Sequence, residues 1–134
     1  MTPYAVRFIP PEELKIFKEI KRRVENLPDI DLSTDKEEIL VSCHMLARIV
    51  GDYFGLKIVD GYFCSFYQHS WLLTQSGHII DVYPVGIIGG PIMVDGMERS
   101  PMASQYKEAD LKINFSSEVF TKSTEKVRQL FTKI

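Results

Sequence analysis

A cysteine, a histidine and an aspartate stand in that order at Cys43, His69 and Asp81. These are the groups a thiol acyl-transfer site needs. The thiolate attacks a carbonyl, the imidazole takes and returns the proton, and the carboxylate holds the imidazole in the right tautomer. Singly, each has a structural reading. Cysteine packs as a small buried hydrophobe, His69 could be a satisfied core histidine, and Asp81 could end a strand and bond a turn. Together they share one explanation. Asp81 lies in the apolar run Ile79-Ile80-Asp81-Val82, where a carboxylate is costly to bury without a partner. An imidazole beside a carboxylate is a better base, and a cysteine beside that imidazole has a depressed pKa.

Whether the three can meet depends on the elements that carry them. Thr34-Asp35-Lys36-Glu37 matches a capping box and predicts a helix start. Two readings of the segment from Glu37 to Phe54 are open. In one, a single helix of about twenty residues carries Ile39, Leu46, Ile49, Val50, Tyr53 and Phe54. The Cys43 amide is then bonded to Ile39 and can line no oxyanion hole. In the other, a short helix ends near Val41 and Ser42 caps a second helix that opens at Cys43. Gly55 ends the helix in both.

Leu56 to Phe63 is β-branched and aromatic enough for a strand, with Gly61 as a bulge or close-approach point. Cys64 to Gln68 turns the chain. His69 to Thr74 and His78 to Tyr83 then form a hairpin around Gln75-Ser76-Gly77. A three-residue loop with Gly77 left-handed pairs Thr74 with His78 and Trp71 with Asp81. His69 then lies diagonal to Asp81 on the same face. A two-residue loop of Ser76-Gly77 would turn Asp81 to the other face. A triad therefore requires the parity of the longer loop.

Outside this stretch, Pro10-Pro11-Glu12-Glu13 opens a helix with the stripe Leu14, Phe17, Ile20, Val24 and Leu27, stopped by Pro28. Asp29 to Ser33 is a connector. Pro91 to Asp95 reads as a further strand, Gly96 to Asp110 as irregular, and Leu111 to Phe115 as an alternating strand. Ser116 or Ser117 caps a last helix with the stripe Phe120, Val127, Leu130, Phe131 and Ile134. Residues 1–134 thus read as one α+β domain, with helices on one face of an antiparallel sheet of four or five strands.

Composition limits the function classes. A net charge of −2 and a pI of about 5.9 give no nucleic-acid footprint. The basic run Lys18, Lys21, Arg22, Arg23 is diluted by Glu19 and Glu25 and reads as a solvated helix face. No apolar stretch is long enough to span a bilayer, and the start of the chain lacks a secretory pattern, so no membrane partner is expected. Cys43 and Cys64 make no disulfide framework, which points to a reduced, cytoplasmic protein. Cys43, His44, Cys64, His69, His78 and Asp81 include every usual zinc-ligand type, yet no pair has zinc spacing. The segment from Gly86 to Gly90 lacks the lysine and the strand–helix context of a phosphate loop.

Cys43 opening a helix that ends in Gly55-Leu56, a strand with Gly61, His69-Ser70-Trp71, and Asp81-Val82-Tyr83-Pro84 resemble the transglutaminase-like branch of the papain-like thiol enzymes. The resemblance covers roughly residues 40 to 84, about a third of the chain. It implies a helix packed on an antiparallel sheet, with Cys43 as nucleophile, His69 as base and Asp81 as orienter, and no metal or organic cofactor. Family members include crosslinkers, deamidases, peptidases, acyltransferases and dead binding modules. The expected activity is acyl transfer or hydrolysis at an amide or ester of a peptide, protein or small acyl substrate. The alternative is a catalytically inactive protein-interaction module. A second copy of the chain is one way to complete a groove. Trp71 is expected as a core or site-wall aromatic and Gln68 as a wall residue, while the sequence names no second oxyanion donor. His44, turned about 100° from Cys43 on a helix, is expected to face solvent or a partner. His78 would cap the hairpin.

Overall fold

The computed structural model describes residues 9–27, 42–84, 90–96, 102–113 and 118–134. The capping box at Thr34, the connector after Asp29, the segment from Gly86 to Gly89 and the serines 116 and 117 lie outside the described residues. In order, the chain forms α1 (Pro11–Glu25), α2 (Cys43–Phe54), β1 (Lys57–Phe63), β2 (Tyr67–Leu73), β3 (Ile79–Asp81), β4 (Ile92–Val94), β5 (Tyr106–Glu108) and α3 (Glu118–Lys133). The strands make one five-stranded sheet in the order β4-β3-β2-β1-β5, each neighbouring pair antiparallel. The coarse class is therefore α+β, as the sequence indicates. Among the described residues no helix is long and apolar enough to cross a membrane.

Strand alternation gives the sheet two apolar faces. On one, Leu72, Ile80 and Met93 pack under all three helices with Phe17, Ile20, Met45, Ile49, Val50, Val127 and Phe131. On the other, Val59, Phe63, Trp71, Ile79, Ile92, Val94 and Tyr106 form a second cluster. The α1 stripe is rotated slightly from the sequence reading. Glu13, Phe17 and Ile20 are buried, whereas Leu14 is half-buried. Tyr53 of α2 is 45% exposed, its ring edge-on to Phe131 and under the Arg23 guanidinium.

The last strand is displaced from its expected place. Pairing to β1 is made by Tyr106–Glu108, inside the stretch read as irregular, and residues 111–113 form no strand. The alternation of Leu111 to Ile113 is local, while Tyr106 offers a ring that packs against both Phe63 and Trp71. Long-range packing overrides the local pattern. Gly61 makes the pairing close: a Cβ there would stand 2.0 Å from the Lys107 carbonyl oxygen and 2.8 Å from the Trp71 ring.

Candidate active site

Ser42 settles how the cysteine segment folds. It is extended (φ −124°, ψ 160°), and its hydroxyl accepts from the Met45 amide at 3.1 Å, so α2 begins at Cys43. The first intrahelical bond runs from Leu46 N to Ser42 O. The Cys43 amide is thus among the first-turn donors that a helix leaves without an intrahelical acceptor. Of the two open readings, a helix capped by Ser42 and opening at Cys43 is the one formed, and the short helix expected to end near Val41 lies outside the described residues.

The hairpin takes the parity that brings His69 and Asp81 together. Gly77 has φ 88°, Thr74 N–H donates to His78 O, and the ladder pairs Leu73 with Ile79 and Leu72 with Ile80. His69 Nε2 lies 2.8 Å from Asp81 Oδ2, with the two side chains 1% and 0% exposed. Asp81 is held from two further directions. Tyr106 Oη donates to Oδ2 at 2.7 Å, and the Tyr83 amide donates to Oδ1 at 3.1 Å. Trp71 stacks beside His69 at 6.2 Å between ring centroids and is buried, a wall beneath the imidazole. Gln68 is exposed, and by alternation it projects to the face opposite His69.

The ladder between β2 and β3 ends at Leu72, and among the described residues no strand pairs with β2 on that side from Tyr67 to Ser70. The first turn of α2 abuts this gap. Cys43 lies close enough to His69 for the two to shift each other's titration, while His44 Nδ1 lies 2.6 Å from Ser70 Oγ. Since adjacent strand residues point to opposite faces, one helical turn meets both faces of β2 at its open edge.

The electrostatics derive from these contacts. Burial pushes the Cys43 thiol up, but hydrogen bonds from His44 and His69, and the charge of those imidazoles, bring it down to about 6. Burial opposes a charge on His69, yet the Asp81 carboxylate and then Cys43 outweigh it and raise it to about 9. Between those values the pair stands as thiolate and imidazolium. Because Asp81 takes Nε2, Nδ1 is the nitrogen left for the sulfur.

A second polar chain adjoins the first and has no counterpart in the sequence reading. Ser70 Oγ donates to Asp60 Oδ1, and Arg48 forks that carboxylate with Nη1 and Nη2 at 3.1 and 2.7 Å. Burial raises the Asp60 carboxyl, but hydrogen bonds from Arg48 and Ser70 and the Arg48 charge hold it below its usual value. His44, expected to face solvent or a partner, instead joins this chain through Ser70. One signal was present: Asp60 interrupts the strand Leu56 to Phe63, as Asp81 interrupts its own, although Asp60 is only half-buried and its desolvation cost is smaller. Among the described residues no group of three or more His, Cys, Asp or Glu side chains could hold a metal ion. His78 is buried beside Asp95 at 3.3 Å, away from this centre, and accepts from the Gly96 amide. Comparison with protein-family models, with curated proteins and with solved structures finds no match to this chain.

Proposed function

We propose that the chain is a cysteine-dependent acyltransferase or hydrolase that works through a Cys43 thioester. One set of contacts carries this reading. Cys43 opens a capped helix beside His69, and His69 Nε2 lies 2.8 Å from the buried Asp81 carboxylate. The order of parts supports a transglutaminase-like core: a helix beginning at the cysteine, then antiparallel strands, with histidine on the second and aspartate closing the third before Pro84.

In this mechanism the Cys43 thiolate adds to an amide or ester carbonyl carbon. The oxyanion forms at the N-terminus of α2, where the Cys43 N–H and the helix dipole favour negative charge. The His69 imidazolium gives its proton to the leaving amine or alcohol as the C–N or C–O bond breaks. Water or an amine then resolves the thioester. Neither a metal nor an organic cofactor takes part in these steps. A reducing, cytoplasmic setting would keep both cysteines as free thiols, and the substrate would be a peptide, protein or small acyl compound.

The test is the pH dependence of Cys43 alkylation by iodoacetamide in a Cys64→Ser background. A midpoint near pH 6 that moves toward about 8.5 in His69→Ala supports an activated thiolate. A midpoint near 8.5 in both proteins overturns it. The second reading, an interaction module, would then take over. It draws on the exposed aromatic pair Phe66 and Tyr67, 70% and 47% accessible at the β1–β2 turn.

A further inference from the structure

The first turn of α2 touches both faces of β2. Cys43 stands beside His69 on one face, and the next residue, His44, meets Ser70 on the other, with Nδ1 2.6 Å from Ser70 Oγ. The second contact belongs to a closed ring. Ser70 lies directly opposite Asp60 in the β1–β2 ladder, and its hydroxyl donates to Asp60 Oδ1. Arg48, one helical turn after His44, forks the same carboxylate at 3.1 and 2.7 Å. Its Nη1 also donates to the His44 carbonyl at 3.1 Å, which returns the ring to the residue it began from.

The donor inventory fixes the direction of every bond. Arg48 can only donate, and the ionised Asp60 carboxylate, held below its usual range by Arg48 and Ser70, can only accept. The single hydroxyl hydrogen of Ser70 goes to Asp60, so its oxygen accepts from His44 Nδ1–H. The ring therefore specifies one setting of the His44 side chain. The apolar side of α2 cannot do this alone. Met45, Leu46, Ile49 and Val50 press the helix onto the sheet, but apolar burial is non-directional and tolerates rotation about the helix axis. Such a rotation moves Cys43 and His44 together, so bonds that resist movement of His44 also resist movement of Cys43. Ser70 is fully buried and the Arg48–Asp60 pair half-buried, so these bonds form largely out of water, where they are strong.

We propose that Ser70, Asp60 and Arg48 are positioning residues for Cys43, an inference that rests on the thioester reading: they hold the first turn of α2 so that the sulfur stays beside His69. They act through the setting of the turn, and none of them gives or takes a proton in either half-reaction.

The experiment measures the pH midpoint of Cys43 alkylation by iodoacetamide in a Cys64→Ser background, beside urea denaturation of the same proteins. Ser70→Ala and Asp60→Asn are each expected to raise the midpoint by about 0.5–1 pH unit, the equivalent of one hydrogen bond. Ser70→Thr and Ser70→Val add the same bulk at this buried position and differ in the hydroxyl. Ser70→Thr should keep the lower midpoint of the two by a similar margin, however much stability both lose. An unchanged midpoint in either Ser70→Ala or Asp60→Asn, or equal midpoints in Ser70→Thr and Ser70→Val, overturns the assignment. A fall in urea stability without a shift in midpoint is the pattern of a merely structural ring and overturns it too. A wild-type midpoint near about 8.5 overturns the activated-thiolate reading of Cys43 itself, and the role of the ring with it.

Discussion

Tyr106 and His69 bond the same oxygen: the phenol lies 2.7 Å and the imidazole 2.8 Å from Asp81 Oδ2. Tyr106 comes from β5 at one edge of the sheet, beyond both β1 and β2. The orienting carboxylate is thus fixed by the full width of the sheet between them. Tyr106→Phe removes one donor from a buried carboxylate while His69 and Tyr83 remain. The expected loss is about 1.5–3 kcal/mol of stability, the range for hydrogen bonds to charged groups, read from urea denaturation. The pH midpoint of Cys43 alkylation should move less than in a variant of Asp81 itself.

Asp81→Asn keeps the shape of the side chain but removes the charge that holds His69 protonated. Turnover of an activated ester should fall by about 10²–10⁴-fold, with the alkylation midpoint shifted upward. Wild-type turnover in this variant would mean that the His69–Asp81 contact has no part in the chemistry.

The pH dependence has two limbs of opposite origin. The Cys43 thiol titrates below its ordinary value, so acyl transfer should rise with pH through about 6. His69 titrates above its ordinary value, so the proton for the leaving group is lost as pH rises through about 9. Turnover should be bell-shaped between these limits, whereas alkylation needs only the thiolate and should stay high above the second limb. Stability behaves differently. The depressed thiol contributes stability that is lost as pH falls through about 6, and the raised imidazole contributes stability that is lost as pH rises through about 9. Between roughly 6.5 and 8.5 the two contributions change in opposite senses, because folding moves a proton from thiol to imidazole without net uptake. Urea midpoints in that window should change with pH as much in the wild type as in a Cys43→Ser, His69→Gln double variant.

Gly61→Ala should uncouple β5. The added methyl would meet the Lys107 carbonyl at 2.0 Å, a backbone atom that cannot rotate away. Overpacking of this kind costs about 1–3 kcal/mol. It should also weaken the hold of Tyr106 on Asp81, so turnover is expected to fall with stability. A folded variant with wild-type stability would contradict the close approach.

The sequence made the His69–Asp81 face legible because Gly77 allows the three-residue loop, and side-chain parity does the rest. The start of α2 was not decidable from periodicity, since a continuous helix and a capped second helix carry the same apolar residues. Only the backbone of Ser42 separates them. Tyr106 was hidden because its strand is three residues long and its contact with Asp81 spans 25 positions. His44 was misplaced for a geometric reason. A turn of 100° from Cys43 leads to solvent on an isolated helix, but here it leads to Ser70, because the first turn straddles a strand edge. The transglutaminase-like resemblance rests on residues 40 to 84, and it points to neither β5 nor the Asp60 relay.

Among the described residues, the gap that β3 leaves beside Tyr67–Ser70 is an unpaired strand edge of the kind that recruits other chains. The first turn of α2 stoppers it, and Cys43 belongs to the stopper. Ser42→Ala would loosen that turn by about 0.5–2 kcal/mol. It should then bare a sticky edge and dislodge Cys43 from its histidines in a single event. Self-association and loss of the low-pH thiolate would appear together and in proportion, so that loss of the thiol's activation and the aggregation hazard are one and the same motion.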